Sequence, residues 1–247
     1  MSSPFIKQTS KEIEWNLSSH DPDVAKSILI PEDNCNNYSY YSKLKWKNLL
    51  SVLPFPYTDY LHNWRFVKAG HKLSLIMPIT NKFGQNISYV TRAINFKTPK
   101  FLNYPEGVKY YWVSDYNLLY GSDIVIVCES IPDAIYIEKV SNRYLNKMGI
   151  YPCVIALLGT SYNGSLNKYL KDKEVYIMLD GGDPVKGGKL PPEKLIALGL
   201  SYQLDRYNIG IKPYIIDLPI RKDPTDILPN TLFKILLLSV KRGEEIL

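Results

Sequence analysis

Two apolar runs of strand length, each ending in a carboxylate, constrain this chain more than any other feature. Ile124-Val125-Ile126-Val127-Cys128 runs into Glu129 and then Ser130-Ile131-Pro132-Asp133-Ala134. Val175-Tyr176-Ile177-Met178-Leu179 runs into Asp180, with Gly181-Gly182-Asp183 after it. Continuous β-branched and aromatic residues without polar alternation read as strands buried on both faces, the pattern of parallel strands in an α/β sheet. Ligands of such sheets bind in the crevice beyond the strands' carboxyl ends, where both acids fall. Hard carboxylate oxygens suit Mg²⁺ or Mn²⁺ rather than zinc. A lone acid after a strand is more often a turn residue or a helix cap. Two of them, the second in a glycine-rich acidic loop, point towards metal-dependent phosphoryl transfer.

The remaining pattern fills in an α/β architecture. Leu73–Ile79 and Asn86–Phe96 read as strands of a hairpin turning around Lys82-Phe83-Gly84. Apolar residues at helical spacing (Trp46, Leu49, Leu50, Leu53) predict a helix within residues 41–53. Pro132–Leu145 is expected to be helical, with Pro132 in its first turn. Val154–Leu158, Val175–Leu179 and Pro213–Ile216 are expected as further parallel strands, Glu193–Tyr207 and Leu232–Val240 as helices. The chain of 247 residues, 45% hydrophobic and 22% charged, can bury a sizeable core. It contains no run of eighteen apolar residues, and Met1-Ser-Ser-Pro-Phe-Ile-Lys7 lacks a signal-peptide core. A soluble cytoplasmic protein without a membrane partner is the expectation. Cys35, Cys128 and Cys153 show no paired spacing and suit a reducing compartment.

The text around the two acids resembles a known family. Val127-Cys128-Glu129-Ser130-Ile131-Pro132-Asp133-Ala134 resembles the glutamate motif of the TOPRIM domain, and Asp180-Gly181-Gly182-Asp183 its aspartate motif. Val154-Ile155-Ala156-Leu157-Leu158-Gly159-Thr160-Ser161 is similar to the intervening strand and turn of bacterial-type primases. Lys222-Asp223-Pro224-Thr225-Asp226 resembles the segment that closes their acidic cluster. Upstream, Leu75–Ile79 with Gly84 and Arg92, then Pro99-Lys100-Phe101-Leu102-Asn103-Tyr104-Pro105-Glu106, then Leu118–Gly121, resemble in order the other elements of a bacterial- or phage-type DNA primase core. TOPRIM motifs also occur in topoisomerases and small nucleases; the ordered upstream elements belong to primases.

That resemblance implies an α+β N-terminal subdomain followed by a TOPRIM α/β subdomain with a mainly parallel sheet. The implied boundaries are an N-terminal arm over 1–36, a basic subdomain over 37–120, TOPRIM over 121–228 and a C-terminal helical segment over 229–247. It implies template-directed synthesis of short RNA primers on single-stranded DNA, from ribonucleoside triphosphates, in a bacterial or phage-infected cell. Glu129, Asp180 and Asp183 would be the catalytic acids, holding Mg²⁺ or Mn²⁺ together with Asp223. Arg92, Lys100, Asn103 and Lys222 would engage template or nucleotide. A replicative helicase and a separate zinc-binding subunit are the implied protein partners, because Cys35 and His20 stand alone and offer no zinc set. The rival readings are a TOPRIM nuclease that uses the same acids, and a non-catalytic nucleic-acid or replisome-binding module.

One departure from the family leaves the site open. Its aspartate motif usually has one residue between the two acids, whereas here Asp180 and Asp183 enclose two glycines. Either Asp183 is the displaced second acid, or Asp180 acts with Asp223 or Asp226 and Asp183 does not. Charge distribution agrees with a polyanion partner. From Lys43 to Trp112 eleven lysines and arginines face only Asp59 and Glu106, a net of +9 within a chain total of +6. The aromatics interleaved there, Trp46, Tyr57, Tyr60, Trp64, Phe66, Tyr104, Tyr110, Tyr111 and Trp112, are candidates for stacking on bases.

Overall fold

The computed structural model describes residues 21–32, 34, 44, 46–53, 63–95, 101–106, 108, 110–159, 162, 164–183, 190–206 and 210–244, the last four as backbone only. A short helix, α1 (Lys47–Val52), puts Leu49 into the core. Four strands follow: β1 (Arg65–Ala69), β2 (Lys72–Thr80), β3 (Asn86–Ala93) and β4 (Phe101–Tyr104). They form an antiparallel meander in the order β1-β2-β3-β4. Leu73, Leu75, Met77 and Ile79 alternate along β2 onto the buried face, as a period of two demands. The hairpin expected around Lys82-Phe83-Gly84 is present. Asn81 closes it by accepting from the Phe83 and Gln85 N–H groups at 3.0 and 3.1 Å, and Gly84 takes φ +74°.

The second half builds β5 (Trp112–Val113), α2 (Tyr116–Gly121), β6 (Ile124–Cys128), α3 (Ile131–Tyr144), β7 (Cys153–Ala156), α4 (Asn167–Leu170), β8 (Glu174–Met178), α5 (Pro192–Arg206), β9 (Lys212–Ile215) and α6 (Pro229–Glu244). Its sheet runs β5-β7-β6-β8-β9; only β5 is antiparallel to its neighbour. Alternate residues serve opposite faces. Ile126, Cys128, Val154, Ala156, Tyr176 and Met178 join α1, α3, α6 and the buried face of the first sheet in one continuous core. Val125, Val127, Cys153, Ile155, Val175 and Ile177 pack the other side with α2, α4 and α5. The fold is therefore α/β, as the apolar runs require.

Most element ends differ from the sequence expectation by a residue or two, but β3 stops at Ala93, short of the expected Phe96, and α6 runs from Pro229 to Glu244 rather than from Leu232 to Val240. Leu157 and Leu179 are buried but lie beyond their ladders, because burial continues where pairing stops. The last helix starts at Pro229, three residues before its apolar stripe, since proline suits a first helical turn. Among the described residues no helix is long and apolar enough to cross a membrane.

Residues 21–32 and 34, part of the expected N-terminal arm, lie against both halves. Asp21 and Asp23 meet Lys168 of α4 at 2.7 and 3.0 Å, and Asp23 also meets Lys82 of the β2–β3 turn at 3.0 Å. The Tyr169 hydroxyl donates to Asp23 as well. Ile28 donates to the Asn86 carbonyl (2.7 Å), and Asn34 exchanges hydrogen bonds with the Lys68 backbone. Burial of Asp23 opposes its charge, but the hydrogen bonds from Tyr169, Lys82 and Lys168 outweigh it and hold the carboxyl below its usual value. The lysine ends are partly exposed and screened, so the charge-assisted hydrogen bonds carry most of the strength. Asp23→Ala should destabilise the fold by about 2 kcal/mol, lowering the melting temperature by about 5 °C. A thermal melt unchanged by this substitution would show that the segment adds nothing to the fold.

Candidate active site

Cys128 of β6 and Met178 of β8 are register partners in parallel strands. Glu129 follows the first strand by one residue and Asp180 follows the second by two, so both acids stand at the same carboxyl end of the sheet. The exit of β7 fixes the Glu129 backbone: Leu157 N–H donates to Cys128 O at 2.9 Å and Gly159 N–H to Glu129 O at 3.0 Å. Gly159 has φ +122° there, a conformation that favours glycine. The buried Cys128 thiol reports which acids gather around it. Burial pushes it up, and the charges of Asp133, Asp180 and Glu129 push it further.

Asp133 was not among the expected site residues, yet it is the most deeply buried of these acids. Ser130 caps α3 by accepting from the Asp133 N–H, and its hydroxyl donates to Asp133 Oδ2. A Thr225 backbone N–H also reaches the carboxyl. Burial, with the negative charges of Asp223 and Glu129, nevertheless pushes it up to about 7. The available sequence signal was Ser130-x-x-Asp133 before an apolar run, the form of a capping box. Asp133 thereby joins the start of α3 to the turn Pro224–Asp226, which presents Asp223 half-buried beside it. The Tyr136 hydroxyl, donating to the Ile227 carbonyl, anchors the same turn. Asp226 is exposed.

The loop after β8 is cross-braced to the segment before that turn. Gly181 N–H donates to Lys222 O (2.8 Å), and Arg221 N–H to Gly182 O (2.9 Å). A Cβ on Gly181 would come within 1.9 Å of the Pro219 carbonyl oxygen, so the first glycine permits this contact. Asp183 is turned to solvent, where the Arg221 Nε donates to it at 2.9 Å. Exposed pairs of this kind contribute little. The Lys222 side chain is exposed.

From the first sheet, Arg92 on β3 completes the cluster. Its guanidinium lies 4.3 Å from the Trp46 ring centroid and 5.0 Å from that of Phe101. Burial works against its charge, while the charges of Asp133 and Asp223 support it. Asn103 lies on β4 opposite Val90, half-buried, and Lys100 falls outside the described residues. Trp46, Trp64, Phe66, Tyr110 and Tyr111 belong to the core, whereas Tyr104 and Trp112 are half-buried. Most of the aromatics considered for stacking therefore serve packing, and Tyr57 and Tyr60 lie outside the described residues.

Among the described residues no three His, Cys, Asp or Glu side chains are placed together to hold a metal. Mg²⁺ needs no such cage, because it binds through one or two carboxylates and keeps several waters. The donors gathered here are of that chemistry: oxygen only, with Cys128 kept as a neutral thiol.

No family model matches the sequence, and no curated protein does. The fold matches solved structures. The Aquifex aeolicus primase (zinc-binding and RNA polymerase domains) aligns over 95% of this chain and 56% of its own, at 18% identity and a TM-score of 0.52. The primase fragment of the bacteriophage T7 primase-helicase protein aligns over 87% of this chain and 82% of its own, at 14% identity and a TM-score of 0.51. This chain thus spans little more than half of the Aquifex chain. The architecture, both sheets included, is that of primase catalytic cores, without a zinc module among the described residues.

Two predictions follow the geometry of these loops. Gly181→Ala forces the loop off Pro219 and should cost about 1–3 kcal/mol, read as a lower melting temperature; an unchanged melt would mean that the two loops separate freely. Asp133 binds a proton more tightly folded than unfolded, so between pH 3.8 and about 7 stability falls as pH rises. In EDTA, Asp133→Asn should abolish a pH dependence on the order of a few kcal/mol. A variant that keeps the wild-type slope would assign the titration to another group.

Proposed function

We propose that this chain is the catalytic core of a DNA primase, joining ribonucleoside triphosphates into short RNA on single-stranded DNA by metal-dependent nucleotidyl transfer. The observation that carries the reading is that Glu129 and Asp180 stand at the same carboxyl end of the second sheet, within this fold, while Arg92 of the first sheet feels the charges of Asp133 and Asp223. Carboxylates for a cation and a fixed cation for phosphate are what phosphoryl transfer requires, since catalysis there is mostly positioning and charge stabilisation.

Glu129 and Asp180 would hold Mg²⁺ or Mn²⁺ at the strand ends, with Asp223 beside them. The bound ion would neutralise charge developing on the transferred phosphoryl group. Arg92, its guanidinium near two rings, offers fixed donors to a template or triphosphate phosphate. Lys222 extends into solvent next to the braced loop and serves the same anion, and Lys100 and Asn103 belong to the template side. Asp133 holds the Asp223 turn against α3 rather than contacting substrate. Asp183, turned towards Arg221, is left out of the metal set. The whole reaction would place the protein in the cytoplasm of a bacterial or phage-infected cell. A replicative helicase and a zinc-binding subunit are its proposed partners for choosing template sites.

The outward Asp183 also favours a second reading, a non-catalytic module that binds nucleic acid or a replisome protein. One assay separates the possibilities: single-stranded DNA, ribonucleotides and Mn²⁺, followed on a sequencing gel. Short RNA is expected. Glu129→Gln and Asp180→Asn should each lower its yield at least about a hundredfold, with Asp183→Asn within about threefold of wild type. DNA cleavage would favour the nuclease, and neither product the binding module. A folded Glu129→Gln variant with full synthesis would remove Glu129 from the site.

A further inference from the structure

Arg92 stands on the core face of β3, opposite Leu75 of β2 and Phe101 of β4. Its guanidinium lies over two rings, with the Trp46 centroid at 4.3 Å and the Phe101 centroid at 5.0 Å. Trp46 is the residue before α1 and is buried. Its ring meets Trp64, also buried, edge to face at 6.1 Å, so the surface on which Arg92 rests is itself fixed from the core. Among the described residues the guanidinium has no hydrogen-bond or ion-pair partner, and the charges of Asp133 and Asp223 act on it only from a distance. The Arg92 side chain is half-buried.

Ring contact takes up the flat faces of a guanidinium and leaves its N–H edge unused. Half-burial removes part of the water that would otherwise serve that edge, and an unmet polar group in such a place is costly. A side chain present only for packing would bury its aliphatic stem and send the charged head to solvent; here the head is drawn onto the rings. The arrangement suits a fork of donors held at one angle for an acceptor with two oxygens, such as a phosphate. We propose that Trp46 and Phe101 are positioning residues of an anion site whose donor is Arg92, fixing the plane of the guanidinium so that its N–H edge is presented to a phosphate group. This rests on the primase reading for the choice of anion. It gives the two rings a task that reaches the ligand only through Arg92, in place of the base stacking that a tryptophan in a basic stretch suggests. The phosphate belongs either to a free triphosphate or to a nucleic-acid strand.

The test is calorimetry on the full chain in EDTA, with inorganic tripolyphosphate as one probe and an oligothymidylate strand as the other. Trp46→Leu and Phe101→Leu remove a ring and keep apolar bulk. Each should weaken binding of at least one probe about tenfold, and the probe affected identifies the source of the phosphate. Trp46→Phe restores a ring and should bind within about threefold of wild type. Arg92→Lys keeps the charge, loses the planar fork and should also weaken binding about tenfold. Trp46→Leu combined with Arg92→Lys should lose little more than Arg92→Lys alone, because both changes remove one interaction. A ring that only supports the fold would instead give losses that multiply. Wild-type affinity for both probes in Trp46→Leu, multiplied losses in the double variant, or a wild type that binds neither probe overturns the proposal. Should Trp46→Leu not fold, Phe101→Leu, at a half-buried ring, carries the same cycle with Arg92→Lys. RNA synthesis by the wild type with unchanged binding in the ring variants would leave the proposed function standing and remove this role. Ring-dependent binding by a wild type that makes no RNA would do the reverse.

Discussion

Parallel pairing of β6 with β8 sets Cys128 beside Met178, and the acids of the candidate site take their positions from that register. A shift of one residue in either strand would turn Ile126, Cys128, Tyr176 and Met178 from one core to the other. Both faces of this sheet are buried, so the register is specified twice, once against α3 and the first sheet and once against α5. Glu129 and Asp180 are half-buried polar ends of apolar strands. Their placement is a by-product of packing that would be strong without them. This suits a site in which like charges must be held together.

What holds the opposing charges in place is spread between the two sheets. Arg92 leaves β3 beside two aromatic rings, and its charge is supported by acids carried by α3 and the turn at Pro224. Asp133 is the pivot. It caps one helix, receives an N–H from the turn, and lies close enough to Glu129 and Asp223 to feel both charges. Any motion of the first sheet relative to the second therefore alters the field at the strand ends. The continuous core that α1 shares with α3 resists such motion.

The fold was legible in the sequence where periodicity was strong. β6 was read to its residue limits and α3 within one residue, because continuous apolar runs and a Ser-Pro start leave little choice. β1 and β5 went unread: one is five residues with a mixed pattern, the other a two-residue edge pairing fixed only by β7. The strand-end acids Glu129 and Asp180 were equally legible. Asp133 was missed because its weight comes from burial and from Thr225, far along the chain. The two glycines of the Asp180 loop were noticed as an irregularity, but their reasons lie elsewhere in the chain, at Pro219 and at Glu193. Contacts of that kind have no spacing to read.

The link from Asp21 and Asp23 to Lys82 and Lys168 bears on how charge should be counted in this molecule. Summing lysines and arginines segment by segment treats each as a source of field in the surrounding water. Lys82 belongs to the basic stretch on paper, yet its partner is an aspartate from residues 1–42, where six acids outnumber three lysines. The two excesses partly cancel at contact distance, well inside the roughly 8–10 Å over which salt screens charges. The potential that a polyanion meets is therefore flatter near this hairpin than the composition of either segment implies.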